Sequence, residues 1–209
     1  MTDVPTATRA ASLVEKTVLG VIAGAAGAIA VVDLIGAGVR TAVLMTGESV
    51  TVPSMPLSTA EAPAVLAASS NISDAQYDTV TLTASGLSLS PRLLLAIADA
   101  LAVLGPIVLC LAVAWLCIRL LIGRPFGSAA TWGIAVAALA VMAGGLMSQA
   151  VRANAFSEIT SELNLVSGGV PAFEMSIDLA PFGWGFALVV VAGAFEIGQR
   201  LQRDTEGLV

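Results

Sequence analysis

The sequence predicts a mainly α-helical integral membrane protein, a bundle of four transmembrane helices with a small β-layer outside the membrane. Of its 209 residues, 57% are hydrophobic and 11% are charged, whereas about a quarter of the residues in a soluble domain are charged. Four apolar segments are each long enough to cross a bilayer, which takes about 17–25 residues. Two of the connecting loops alternate apolar and polar side chains with the period of two that is typical of strands.

The four spans are predicted from where apolar sequence begins and ends, at about 17–45, 92–122, 129–151 and 181–197. The first span is too long for the apolar region of a cleaved signal peptide, which has about 7–15 residues. A short turn joins the second span to the third. Residues 46–91 and 152–179 form longer, acidic loops, and we treat residues 1–209 as a single membrane domain.

The basic residues that flank the spans predict the orientation, because they concentrate in cytoplasmic segments. With a cytoplasmic N-terminus, six of them lie inside: Arg9, Lys16, Arg119, Arg124, Arg200 and Arg203. Three lie outside: Arg40, Arg92 and Arg152. We therefore expect a multi-pass protein of the cell membrane with both termini in the cytoplasm and both acidic loops outside.

Three segments of the outer loops have strand-like alternation, namely Val50–Val52, Thr79–Leu89 and Phe173–Leu179. Isolated strands are not stable, so at least two of these segments are expected to pair. Ser90 and Pro91 then suit the N-cap and first turn of the second span.

Composition argues against several functions. The net charge of −6 disfavours nucleic-acid binding. The chain has no histidine, and both cysteines fall within the second span, which removes histidine-based acid–base catalysis and a His/Cys zinc site. No Walker A, G-x-S-x-G, H-E-x-x-H or Rossmann fingerprint occurs. We expect no enzymatic activity, cofactor or metal.

Charged residues within the spans predict a buried polar cluster at one depth. Asp33 interrupts the first span, and Asp99 lies near the outer end of the second. Helical rise places both in the outer leaflet, at the level of Arg40, Gln149 and Arg152. Charges at membrane depth are costly and usually find partners. The cluster is either a clamp that fixes helix packing or a proton- or ion-linked site, and we favour the clamp.

Small residues recur in the first and third spans. Gly20, Gly24 and Gly27 lie in the first span, and Gly144 and Gly145 in the third. Such residues let helices approach closely in lipid. They indicate packing within the bundle or an interface between copies, and the sequence does not separate these. Trp132 and Trp184 suit anchors at the two membrane interfaces.

Two short motifs carry a resemblance to a known family. The chain ends FEIGQRLQRDTEGLV from Phe195 to Val209, and the turn after the second span reads Gly123-Arg124-Pro125-Phe126. Both resemble an uncharacterised family of small bacterial four-helix membrane proteins, catalogued as a domain of unknown function. The resemblance covers nearly the whole chain and implies a four-helix fold with no catalytic residues. Because some members are encoded beside helix-turn-helix regulators, it also implies a possible link to gene control.

We expect a non-enzymatic membrane protein that acts through a membrane protein partner or a homo-oligomer, as an accessory subunit or an envelope sensor. The structured outer loops and the short charged tail motivate this hypothesis. The alternative is a small transporter or channel that uses Asp33 and Asp99.

Overall fold

A computed structural model describes residues 5–61, 76–122, 128–165 and 177–206 of the chain. The elements in chain order are α1 (Pro5–Thr46), β1 (Ser49–Glu61), β2 (Gln76–Ser85), α2 (Leu89–Leu121), α3 (Ser128–Glu162) and α4 (Ala180–Glu206). The chain is therefore mainly helical with a small antiparallel sheet of two strands, as predicted.

Each helix contains a segment long and apolar enough to span a membrane: Lys16–Thr46, Leu89–Leu121, Ala129–Glu162 and Ala180–Leu201. The predicted number and order of the spans are confirmed at this level. Within these segments α3 is the most buried, at 28% of its most apolar window against 11% in each of the others. This degree of burial indicates that α3 packs against more of the chain than the other helices do.

The chain divides into two compact units. The helical unit comprises Met1–Ala37, Leu101–Leu146 and Asp178–Val209, and the ribbon unit comprises Gly38–Ala100 and Met147–Ile177. The first unit holds most of the apolar helical sequence. The second holds both strands.

The ribbon is formed by β1 and β2, which pair antiparallel with Val50 opposite Ala84 and Val52 opposite Leu82. The register shifts between Val52 and Met55, where Ser54 has a positive φ of 55°. A bulge of this kind lets an extra residue leave the ladder. The prediction that at least two of the three segments pair is therefore confirmed, by the first and the second.

The rest of the predicted β-layer differs from the structure. Strand β2 ends at Ser85, so the predicted extended segment up to Leu89 was too long. Residues 173–176 of the third segment lie outside the described residues, and residues 177–179 form no strand. Both described strands come from the loop between the first two spans.

The third helix continues well past Val151, where the sequence predicted that an outer loop begins. The helix stays regular up to Glu162, because apolar residues at helical spacing continue through Ala155 and Ile159. Those two residues are fully buried in the ribbon core, which contains Val50, Val52, Met55, Leu87, Leu95, Ala155 and Ile159. The rise in polarity after Val151 therefore marks an amphipathic helix that supports the ribbon.

In the helical unit, α2 and α3 cross closely at two glycines. A Cβ on Gly105 would lie 2.9 Å from the Val141 Cα, and a Cβ on Gly144 would lie 2.9 Å from the Leu101 carbonyl oxygen. Backbone atoms cannot move aside as a flexible side chain can, so a larger residue would push the helices apart. These two glycines fix the approach of α2 to α3.

Candidate functional site

The ribbon unit contains an ion pair between two of the predicted cluster residues. Arg152 on α3 donates from Nη2 to Oδ1 of Asp99 on α2 at 2.5 Å. Their side chains are 36% and 24% exposed, respectively. Charge-assisted bonds of this kind are about twice as strong as neutral ones. The pair therefore links α2 to α3 through groups that would be costly to leave unpaired.

A small cavity adjoins this pair. Its volume is about 50 Å³, and its lining residues are Leu44, Thr51, Pro53, Leu95, Asp99, Arg152 and Phe156. A cavity needs about 10–15 Å³ of such volume to hold one water molecule, so this one has room for a few waters. It is too small for an organic solute, and the ion pair occupies its polar side.

Arg92 bonds to carbonyl groups from two separate segments. Its Nη1 donates to the carbonyl oxygens of Gly47 at 2.7 Å and Leu44 at 3.2 Å, and its Nε donates to Leu87 at 3.1 Å. The last carbonyls of a helix have no partner within that helix, and Leu44 belongs to the last turn of α1. Arg92 therefore ties the C-terminal end of α1 to the segment that precedes α2.

A second polar contact fixes the start of α2. The Ser88 backbone N–H donates to Glu162 Oε1 at 2.8 Å, and the Ser88 hydroxyl donates to Glu162 Oε2 at 2.9 Å. The sequence placed the N-cap at Ser90, but α2 begins at Leu89, directly after Ser88. Glu162 lies at the end of α3, so a long-range contact, which local sequence does not reveal, fixes this boundary.

Sequence reasoning missed the roles of Arg92, Ser88 and Glu162. Arg92 was counted only as a charge flanking a span, and Glu162 was assigned to a loop. A usable signal for Arg92 is its position at the start of α2, since α1 ends in carbonyls that need donors. For Glu162 the signal is the continued apolar spacing that keeps α3 helical.

The other members of the predicted cluster differ in their surroundings. Asp33 is half-buried and Arg40 is exposed, and neither has a hydrogen bond or ion pair to another described residue. The sequence predicted that Arg40 faces the bundle interior, whereas its side chain is exposed. Near the end of a helix, a long arginine can extend its charge toward water. Gln149 is half-buried on α3, three residues before Arg152.

The first helix has two unlike sides. Ala26, Ala30 and Ala37 are buried at spacings of four and seven residues. On another side, Gly20, Gly24 and Ala28 recur every four residues and are exposed. A Cβ on Gly20, Gly24 or Gly27 would meet no atom within 4 Å. These glycines therefore do not pack against any described part of the chain.

No group of three or more Cys, Asp or Glu side chains able to hold a metal ion occurs within the described residues. No known family model, curated protein or solved structure matches the chain. The resemblance to the bacterial four-helix family therefore stays a prediction.

Proposed function

We propose that this chain is a non-enzymatic, multi-pass membrane protein that acts by pairing α1 with a transmembrane helix of a partner protein. The observation that carries this proposal is the set of α1 glycines, Gly20, Gly24 and Gly27, which face open space. Gly20 and Gly24 have the four-residue spacing that lets two helix backbones approach in lipid and gain van der Waals contact. Lipid tails fill such a surface less closely than a helix does, so they make fewer van der Waals contacts with it.

The burial of α1 supports the same conclusion. Along the glycine side, Val21, Val31 and Ile35 are each more than half exposed. Together with Gly24 and Ala28 they form an exposed apolar strip along α1. A partner helix with its own side chains against the small residues would cover this strip.

The polar groups of the ribbon unit favour a structural role over chemistry. Asp99 and Arg152 bond to each other, and Arg92 bonds to carbonyl oxygens. With both termini in the cytoplasm, as the flanking charges predict, the ribbon lies outside the cell membrane. A ribbon unit that is stabilised by these hydrogen bonds and this ion pair suits the sensing part of a sensor or the docking part of an accessory subunit.

A photoreactive amino acid at Ala28 tests the pairing in the native membrane. We expect a protein adduct from Ala28 and none from Val190 on α4, which is 72% exposed and serves as a matched lipid-facing control. Equal adduct yields at the two positions, or lipid adducts alone at Ala28, would contradict the proposal.

One observation favours a second candidate, a small transporter or channel. Asp33 is a half-buried carboxylate inside a spanning helix and has no hydrogen bond or ion pair to any described residue. Intramembrane carboxylates often mark ion or proton paths. Asp33→Asn in liposomes tests this role, since a proton-linked flux would be lost while the fold is kept. A wild-type chain that gives no flux above protein-free liposomes would rule it out.

A further inference from the structure

An apolar groove lies between α2 and α3 in the helical unit. Its volume is about 770 Å³, and it is lined by Val108, Leu111, Ala112, Trp115, Ala129, Trp132, Gly133 and Val136. Ligand pockets for small molecules typically measure about 300–1,000 Å³. This groove is open along the helix surface, so its apolar lining, which suits hydrocarbon, says more than its volume does.

A cation lies next to this lining. Arg119 lies in the last turn of α2. Its guanidinium is 4.8 Å from the centre of the Trp115 ring. Arg119 is half-buried and has no carboxylate partner among the described residues. By sequence, the following segment 123–127 adds Arg124 and no acidic residue. The positive charge here is therefore not neutralised by this part of the chain.

Two tryptophans shape the same end of the groove. Trp115 packs against Gly133, where a Cβ would lie 3.0 Å from the Trp115 Cζ3 atom. Trp132 is 72% exposed. Tryptophans concentrate at the level of the lipid headgroups. Apolar lining, interfacial rings and an unpaired cation thus follow one another along the groove toward the end of α2.

We propose that this groove binds one anionic phospholipid, with an acyl chain along the apolar lining and the headgroup phosphate at Arg119. Arginine forms strong, often bidentate bonds with phosphate, and its guanidinium keeps its stacking contact with Trp115 while doing so. Basic pockets between spanning helices bind anionic headgroups in this way. A protein helix would fill the apolar part but leave the guanidinium without its anion.

Brominated lipids test the site, because bromine on an acyl chain quenches nearby tryptophan. The full chain with Trp184→Phe, which leaves Trp115 and Trp132, is reconstituted in equal mixtures of phosphatidylglycerol and phosphatidylcholine in which only one of the two lipids is brominated. The emission from each mixture is divided by that from the same mixture without bromine. One basic residue near an anionic surface changes affinity about fivefold, so we expect about a fivefold preference for phosphatidylglycerol.

Matched variants assign the preference to the site. Arg119→Gln should reduce the preference to about one, since the anion then has no cation to meet. Arg200→Gln, which removes a charge already paired with Glu196 at 2.8 Å, should keep it. Ala112→Phe should weaken quenching by filling the groove while Arg119 stays in place. Equal quenching by both lipids, no quenching by either, or a preference that survives Arg119→Gln would overturn the proposal.

Discussion

Two arginines of the ribbon unit, Arg92 and Arg152, differ in their contacts from Arg119 of the helical unit. In the ribbon unit, Arg92 and Arg152 have oxygen partners within the chain. In the helical unit, Arg119 lies on a tryptophan ring and has no carboxylate partner in the described part of the chain. The contacts of an arginine therefore show whether its charge is used within the chain or is free to bind a ligand. Residue type alone does not distinguish these two cases.

Glycines show the same difference within the helical unit. Gly105 and Gly144 are enclosed by the backbone of a neighbouring helix, whereas Gly20 and Gly24 face open space. The first pair is already used to bring α2 and α3 together. The second pair has no such neighbour among the described residues, and the proposed function rests on this contrast.

The largest effect is expected at Arg92. Arg92→Met keeps most of the side-chain bulk but removes its bonds to three carbonyl oxygens, and hydrogen bonds to a charged group contribute about 1.5–3 kcal/mol each. Because such losses do not add fully, we expect the free energy of unfolding to fall by about 3 kcal/mol. Equilibrium unfolding in mixed micelles measures it. Arg40→Met, at an exposed arginine, is the control. Equal losses of unfolding free energy in the two variants would show that the hydrogen bonds of Arg92 do not stabilise the chain.

Enlarging the enclosed glycines should cost less. Gly144→Ala places a methyl group 2.9 Å from the Leu101 carbonyl oxygen, and overpacking of this kind costs about 1–3 kcal/mol. Gly24→Ala meets no atom within 4 Å and should not lower the stability of the isolated chain, since alanine favours a helix more than glycine does. Thermal unfolding of both variants gives the comparison. A matching loss at Gly24 would mean that its side of α1 is already covered within the chain.

The ion pair should contribute a smaller amount because it is partly exposed. Asp99→Ala leaves Arg152 without its carboxylate, and we expect a loss of about 1.5 kcal/mol, near the lower end for bonds to charged groups. Replacing Arg152 by Ala as well should recover part of the loss. A double-mutant cycle measures the coupling, and a coupling of zero would remove the clamp from the account.

The smallest effect is expected at Glu162. Loss of a side chain that caps a helix start typically costs about 1 kcal/mol, so Glu162→Ala should destabilise the chain by that amount. Glu158→Ala, one turn earlier on α3, is the matched control. Hydrogen exchange at the first turn of α2 should rise in the first variant only. Unchanged exchange would show that Ser88 needs no distant partner.

Composition and apolar length were enough to predict the four helices. Alternation predicted that at least two of three segments pair, and β1 and β2 do so. The end of α3 was not predictable from polarity alone, because the residues after Val151 leave the apolar pattern without leaving the helix. The interior position expected for Arg40 failed for a related reason. Counting residues along one helix gives the distance of a residue from the membrane interface. Which face of that helix is buried depends on the neighbouring helices, and the sequence of one helix does not show it.

The contacts that fix the ribbon unit were also beyond sequence reasoning. Arg92 meets Gly47, and Ser88 meets Glu162, across long separations in the chain. No local pattern encodes such pairs, since each needs the complete packing of the strands on α3. Asp99 and Arg152 were included in one predicted cluster because opposite charges at equal depth are expected to pair, and the structure joins these two.

The most direct test of the proposed function is copurification of the partner from native membranes with wild-type, Gly24→Ile and Ala25→Ile chains. Both residues are exposed, but successive side chains point about 100° apart around a helix, so only isoleucine at Gly24 projects from the side of α1 that carries Gly20, Gly24 and Ala28. We expect the partner to be lost with Gly24→Ile and kept with Ala25→Ile, at equal stability of the two chains. Retention of the partner by Gly24→Ile, or equal loss from both variants, would contradict pairing through α1.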